Sequence, residues 1–440
     1  MTKLKMFTLC LFALISVEAF ASGQTKKSTT VKKRTTATHK SVSKKKPVKH
    51  VANVAPIAIP AKPLADEQLN FIENDFALRQ FYTKLNLLEQ GKVKQVSIIH
   101  IGDSHIQADF FTGTLRDSLQ RRFGSAGRGL YFPYRTAGTN GPDAVKDKAS
   151  EAAWKMKRCA FPSQPMPIGI MGITLEVAQD AYIDVYVREE DSAALFDELR
   201  VFSDDPPNVE LTVMSTDGNT RYAAQGAPVE KKKHLTAYGL GDLKSAIRIQ
   251  LEPKPADSTA PVHLYGLQLN NSKTHGVQYN MIGVNGAKFS DYNAARYFFS
   301  QLEYVPADLI IVSLGTNEAL SLNYAADSMY MALDQFYKKL RQVQPSCSIL
   351  FTAPPDTYYQ HTQANPHTAE IVEIERRYAI AHDCGFWDFY TIMGGLGSVV
   401  NWYKQGYGNK DLVHFLRPGY QKQGQLLYQA LLNAYMLNKK

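Results

Sequence analysis

Residues 95–109 read QVSIIHIGDSHIQAD, and the fold turns on how this stretch is read. Val96, Ile98, Ile99 and Ile101 make a largely apolar run, interrupted only by Ser97 and His100. That is the pattern of a strand buried on both faces, as in a parallel sheet. Gly102-Asp103-Ser104-His105 then interrupts the run. Beyond it, DFFTGTLRDSLQRRF (109–123) has the spacing of an amphipathic helix. A strand, a turn carrying a serine and a helix form the first unit of an α/β sheet. Ser104 is then either a helix cap or an exposed nucleophile.

Four further units repeat the rhythm near the end of the chain. VQYNMIGV precedes a helix expected over 290–302. DLIIVSLG (308–315) precedes one over 324–343, and SILFTAPP (348–355) one over 368–382. GFWDFY (385–390) is followed by helical stretches to the terminus. A helix is also expected over 66–91, before the first strand. The predicted fold is a three-layer α/β/α domain with a five-stranded parallel sheet, flavodoxin-like. Between the first and second units the style changes. Short alternating runs such as AYIDVYVRE and SAIRIQLEP are separated by turn residues, which predicts an all-β sandwich. The expected organisation is a signal (1–21), a basic linker (22–64), the first part of the α/β domain (65–139), an inserted β-sandwich (140–275) and the second part of the α/β domain (276–440).

The signal rests on Lys3 and Lys5, the twelve-residue, largely apolar stretch Met6–Val17 and the A-x-A site Ala19-Phe20-Ala21. Export to the periplasm or cell envelope follows. The formal charge of +9 is misleading. Ten basic residues and no acid lie in 22–50, while residues 51–440 carry a net charge of −2. A near-neutral body argues against nucleic acid as a partner. The tail is too polar to fold and reads as a solvated linker or, in the alternative, as a tether attracted to anionic envelope components. After removal of the signal, Cys159, Cys347 and Cys384 remain. Cys347 and Cys384 each precede a strand, so a disulfide between them is one of two open outcomes.

In open parallel sheets, ligands bind beyond the carboxyl ends of the strands. The residues there are Ser104 after the first strand, Gly283, Asn285 and Gly286 after the second, and Thr316-Asn317-Glu318 after the third. Asp411 and His414 lie on the loop before the last helix. A serine needs a base to become a nucleophile, and an imidazole held by a carboxylate is that base near neutral pH. Asp411 stands three residues before His414, within reach of one turn. The N–H of Ser104, the N–H of Gly286 and the Asn317 amide are candidate donors to an oxyanion. Asp103 and Glu318 read as structural hydrogen-bond acceptors and His100 as a core residue. His105 is a candidate to line the site. Neither the cysteines nor the scattered histidines, His361 and His367 among them, have metal-ligand spacing, and no cofactor motif is present.

IGDSH, the glycine after the second strand, GTNE and DLVH resemble, in order, the four blocks of the SGNH, or GDSL-type, hydrolase superfamily. The resemblance runs over residues 93–437. It implies Ser104 as nucleophile, Gly286 and Asn317 in the oxyanion hole, His414 as base and Asp411 as its orienting acid. Gly283 fits the glycine block as well as Gly286 does. The opening GDSH…ADFFTGTLRDSL and the large β insert before GVNGA look most like bacterial peptidoglycan O-acetylesterases. These are periplasmic enzymes with a carbohydrate-module-like sandwich in that place. The implied activity is a serine esterase acting on O-acetylated peptidoglycan or another acetylated glycan. Deacetylation of plant or host polysaccharides, O-acetyl transfer and non-catalytic wall binding are the alternatives. Aromatics of the insert (Trp154, Tyr182, Tyr186, Tyr222, Tyr238, Tyr265) fit either core positions or sugar stacking.

Overall fold

A computed structural model describes residues 63–161, 166–188, 193–205, 208–222, 224–225, 233–254, 260–360 and 362–439. The signal, nearly all of the basic linker and His361 lie outside the described residues. The central sheet comprises β1 (Gln95–Gly102), β2 (Gly276–Gly283), β3 (Leu309–Ser313), β4 (Ser348–Thr352) and β5 (Gly385–Trp387), all parallel. Their order is β2-β1-β3-β4-β5, so the chain reverses direction across the sheet beside β1. This is the flavodoxin-like order, and ligands of such sheets bind at that reversal.

Side chains of β1 alternate between two cores. Val96 and Ile98 face helices α1 (Arg79–Glu89), α3 (Phe110–Phe123) and α6 (Arg417–Asn438). Ile99 and Ile101 face α4 (Ala326–Val343) and α5 (Pro366–Ala381). Each such isoleucine is fully buried, which contributes roughly 1.5–3 kcal/mol. His100 sits in the same strand with both ring nitrogens bonded, Nδ1 to Tyr279 Oη and Nε2 to Ser313 Oγ, each at 2.6 Å. Burial pushes its pKa down to about 3, so it is a neutral core residue.

Between β1 and β2 the chain builds two antiparallel sheets, an extra domain. One holds Ile173–Val177, Phe196–Ser203, Leu235–Lys244 and Val262–Asn270. The other holds Val145–Ala149, Ala181–Val187, Val209–Met214 and Ala246–Pro253. Their inward residues share one buried cluster with the Ile99 face of the central sheet. The short strand Gly129–Tyr131 pairs with Val262–Asn270. Asn280 of β2 accepts from Leu130 N at 3.0 Å, so the open edge of the parallel sheet is covered. Tyr238 and Tyr265 are core, Trp154, Tyr182 and Tyr222 are half-buried, and Tyr186 is exposed.

Two expectations are corrected, and the outcome left open for the cysteines is decided. The helix over 66–91 is regular only over Arg79–Glu89. Asn74 adopts φ 52° and Glu73 bridges to Phe386 of β5, so before residue 75 the chain holds only a 3-10 turn at Glu67–Leu69. The helix over 290–302 is two short helices, Phe289–Ala294 and Phe298–Leu302, because Ala295 turns to extended geometry. Cys347 and Cys384 form no disulfide and are buried free thiols. The β4–β5 register sets Leu350 opposite Gly385, which staggers the two cysteines, and Arg341 donates to the carbonyl of Cys347. Burial raises the thiol pKa values to about 11 and about 12, which keeps both protonated. Among the described residues, no helix is long and apolar enough to cross a membrane.

Candidate active site

The register of the central sheet brings the sequence blocks to one level. Gly102 pairs with both Gly283 and Ser313, so the loops after β1, β2 and β3 start side by side. Ser104 opens the short helix α2 (Ser104–Gln107). Asp103 caps it, its Oδ1 accepting from His105 N at 2.9 Å. Ser104 is half-buried, with its neighbours Asp103 and His105 buried.

His414 arrives from the far end of the chain. Its Nε2 lies 2.9 Å from Ser104 Oγ, and its Nδ1 lies 2.9 Å from Asp411 Oδ2. The D-L-V-H turn makes this pairing local. Asp411 Oδ1 accepts from the backbone N–H of Val413 (2.9 Å) and of His414 (2.8 Å). Leu412 takes φ 53°, unusual for a branched side chain, and its carbonyl is held by Tyr358 N at 2.9 Å. Burial alone would raise the Asp411 pKa, but these hydrogen bonds outweigh it and hold the carboxyl at about 2. Burial likewise disfavours the charged form of His414. The hydrogen bond and charge of Asp411, with Asp103 behind, outweigh that and leave its pKa raised. A serine hydroxyl, a basic imidazole and an ionised carboxylate therefore stand in one hydrogen-bonded line.

The two glycines of the second block have different surroundings. A Cβ on Gly283 would stand 2.7 Å from Gln107 N, so its lack of a side chain lets α2 pack onto β2. Gly286 lies in a turn closed by Ala287 N to Val284 O, with φ +84°. Asn317, on the short helix Thr316–Ala319 after β3, reaches the same turn. Its Nδ2 donates to Ala287 O at 3.0 Å and to Asp103 Oδ2 at 3.2 Å. Glu318 accepts from Phe289 N at 2.7 Å, which matches its reading as a structural acceptor. Burial raises its pKa to about 7 and that of Asp103 to about 6.

His105 lies behind His414 with ring centroids 5.3 Å apart, and its Nδ1 is 3.1 Å from Tyr420 Oη. His367 packs on Tyr324, and no group of His, Cys, Asp or Glu among the described residues has metal-binding geometry. Two side chains at the site were not foreseen. Buried Gln107 donates from Nε2 to Asn140 O at 2.7 Å and accepts from Asn285 N at 2.6 Å, joining α2 to the Gly286 turn and to the chain entering the extra domain. Phe161, an exposed ring of that domain, abuts Gly286, whose added Cβ would stand 3.3 Å from it. An aromatic next to a proline in a loop carries no sequence signal for this position.

Residues 249–422 match the GDSL-like lipase/acylhydrolase family. This part of the chain is similar to that family. The match takes in Gly286, Asn317, Asp411 and His414, and Ser104 lies upstream of it because the extra domain separates the GDS block from the others. A solved structure described as a peptidoglycan O-acetylesterase is similar over 81% of this chain and 96% of its own, with 24% identity and a TM-score of 0.67. That likeness includes both the GDSL-type α/β sheet and antiparallel sheets like those here. A lipase/acylhydrolase from Enterococcus faecalis is 18% identical over 36% of this chain and 77% of its own, with a TM-score of 0.28. No curated protein matches in sequence.

Proposed function

We propose that the protein is an exported serine esterase that removes O-acetyl groups from peptidoglycan or a related envelope glycan. The observation that carries this reading is the hydrogen-bonded line Ser104–His414–Asp411 beside the Gly286 turn. Ser104 Oγ attacks the acetyl carbonyl carbon while His414 Nε2 takes its proton, and Asp411 stabilises the imidazolium. Charge builds on the carbonyl oxygen. The N–H groups of Ser104 and Gly286 and the amide of Asn317 are its donors, with the longer Asn317 bond, to Asp103, giving way. The ester C–O bond breaks, and the sugar oxygen leaves with the proton from His414. Water then attacks the acetyl-serine, again with His414 as base, and acetate departs.

Support for the substrate comes from the likeness to the solved peptidoglycan O-acetylesterase and from the leader-like N-terminus. The basic tail, by its charge, would hold the enzyme near anionic envelope polymers. The test is acetate release from O-acetylated peptidoglycan by wild type and Ser104→Ala, with acetylated xylan in parallel. Serine-dependent release from peptidoglycan is the expected result. Release from xylan alone moves the substrate to other glycans, and no serine-dependent release from either overturns the esterase reading.

A further inference from the structure

The ester chemistry leaves unused a cleft of about 1140 Å³ between α3 and the extra domain. Five arginines line it: Arg116 and Arg121 of α3, Arg128, Arg188 and Arg417. Two acids, Asp117 and Asp143, share the lining. In a body whose charges nearly cancel, this is a local excess of positive charge, and a concave site of one sign concentrates anions.

The floor of the cleft is unbalanced. Buried Asp109 receives Arg116 in a two-point contact, Nη1 to Oδ1 at 3.0 Å and Nη2 to Oδ2 at 2.9 Å. Arg128 Nη2 donates to the same Oδ2 at 2.7 Å. Two buried guanidinium groups thus share the buried carboxylate, and the exposed Asp117 stands 3.6 Å from Arg116 Nε as a second counter-charge. The Arg128 side chain is 2% exposed, and its Nε and Nη1 have no hydrogen-bond partner. Unmade hydrogen bonds on a buried cation are costly. Arg116 by itself matches the charge of Asp109, and Thr112 Oγ1 also donates to Oδ1 at 2.6 Å, so Asp109 does not call for a second arginine. Arg417 ties the cleft to the ester site. It follows His414 by three residues, lies over the Phe110 ring at 4.3 Å and pairs with Asp143.

We infer that this arginine-lined cleft binds a carboxylate carried on the substrate chain beside the acetylated sugar, such as the peptide stem of peptidoglycan. A guanidinium fork matches a carboxylate in geometry and charge. The inference rests on the peptidoglycan reading above, and it explains how such an enzyme distinguishes that polymer from a neutral acetylated glycan.

The probe is N-acetylmuramyl-L-alanyl-D-glutamate, against the same compound with its carboxylates amidated, titrated calorimetrically into the full chain. Wild type should bind the acid at least tenfold more tightly than the amide, and less tightly in 0.5 M salt. The double variant Arg121→Gln/Arg188→Gln, at two exposed positions, should lose at least tenfold in affinity for the acid. Arg128→Gln, checked for folding by circular dichroism, should do the same. Equal binding of acid and amide, no binding, or unchanged affinity in the double variant overturns the inference. Acetate release separates the two readings. If wild type releases none from peptidoglycan while acid binding still depends on the arginines, the peptidoglycan-deacetylating reading falls and the cleft stands. If the double variant releases acetate with the wild-type KM, the cleft alone falls.

Discussion

His105 and His414 lie with their ring centroids 5.3 Å apart and their planes tilted by 32°, yet only one of them is poised to take a proton near neutral pH. Burial and the neighbouring His414 push the pKa of His105 down to about 3, whereas Asp411 keeps that of His414 raised. The pH dependence of kcat/KM should therefore show one acid limb, with its midpoint above 6.5. Activity is full where His414 is neutral and falls tenfold per pH unit below the midpoint. A two-proton limb in initial-rate data would contradict this assignment.

Replacing Asp411 by Asn removes the charge that favours the imidazolium and the acceptor that fixes its tautomer. We expect kcat to drop about 10³–10⁴-fold, the cost seen when a triad carboxylate is neutralised. The residual activity should have its acid limb at lower pH than wild type, since the pKa of His414 is no longer raised.

Asn317→Ala removes an amide that reaches both the Gly286 turn and Asp103. If the amide serves the oxyanion, kcat falls by about 10²–10³-fold with little change in KM. A loss confined to KM, measured on a soluble acetyl ester, would assign Asn317 to substrate binding instead.

Glu318 is buried, with its pKa raised to about 7 and its Oε2 unpartnered. A carboxyl raised in the folded state contributes stability below its unfolded pKa of 4.5 and loses it as pH climbs through about 7. Glu318→Gln should thus resemble wild type at pH 5 and be more stable at pH 8.5, by about 1–3 kcal/mol. Calorimetric melting at the two pH values tests this.

The sheet was legible because its strands are mostly apolar runs, the first three ending at Gly102, Gly283 and Ser313. Ser104 and Asn317 were legible because they follow such ends, and Asp411 and His414 because they stand three apart on the loop before the last helix. Local geometry was less so. Asn74 in the left-handed region broke a helix whose apolar spacing looked continuous. The cysteine pair depended on a strand register, which composition does not encode. Gln107 could not be picked out, since its partners at Thr139, Asn140 and Asn285 converge only once the extra domain has folded back. The arginine cleft was hidden for the same reason, as its members come from positions 116 to 417.

Ser104 and His414, joined by one hydrogen bond, are 310 residues apart in the chain. Everything between them, both antiparallel sheets included, must be made before the nucleophile meets its base. A chain emerging from the ribosome lacks the assembled site at any intermediate length. Activity is in this sense a proofreading signal, given only by a molecule whose two ends have found each other. The same separation gives the contact a large loop-closure cost, so assembly of the site should be among the late events of folding.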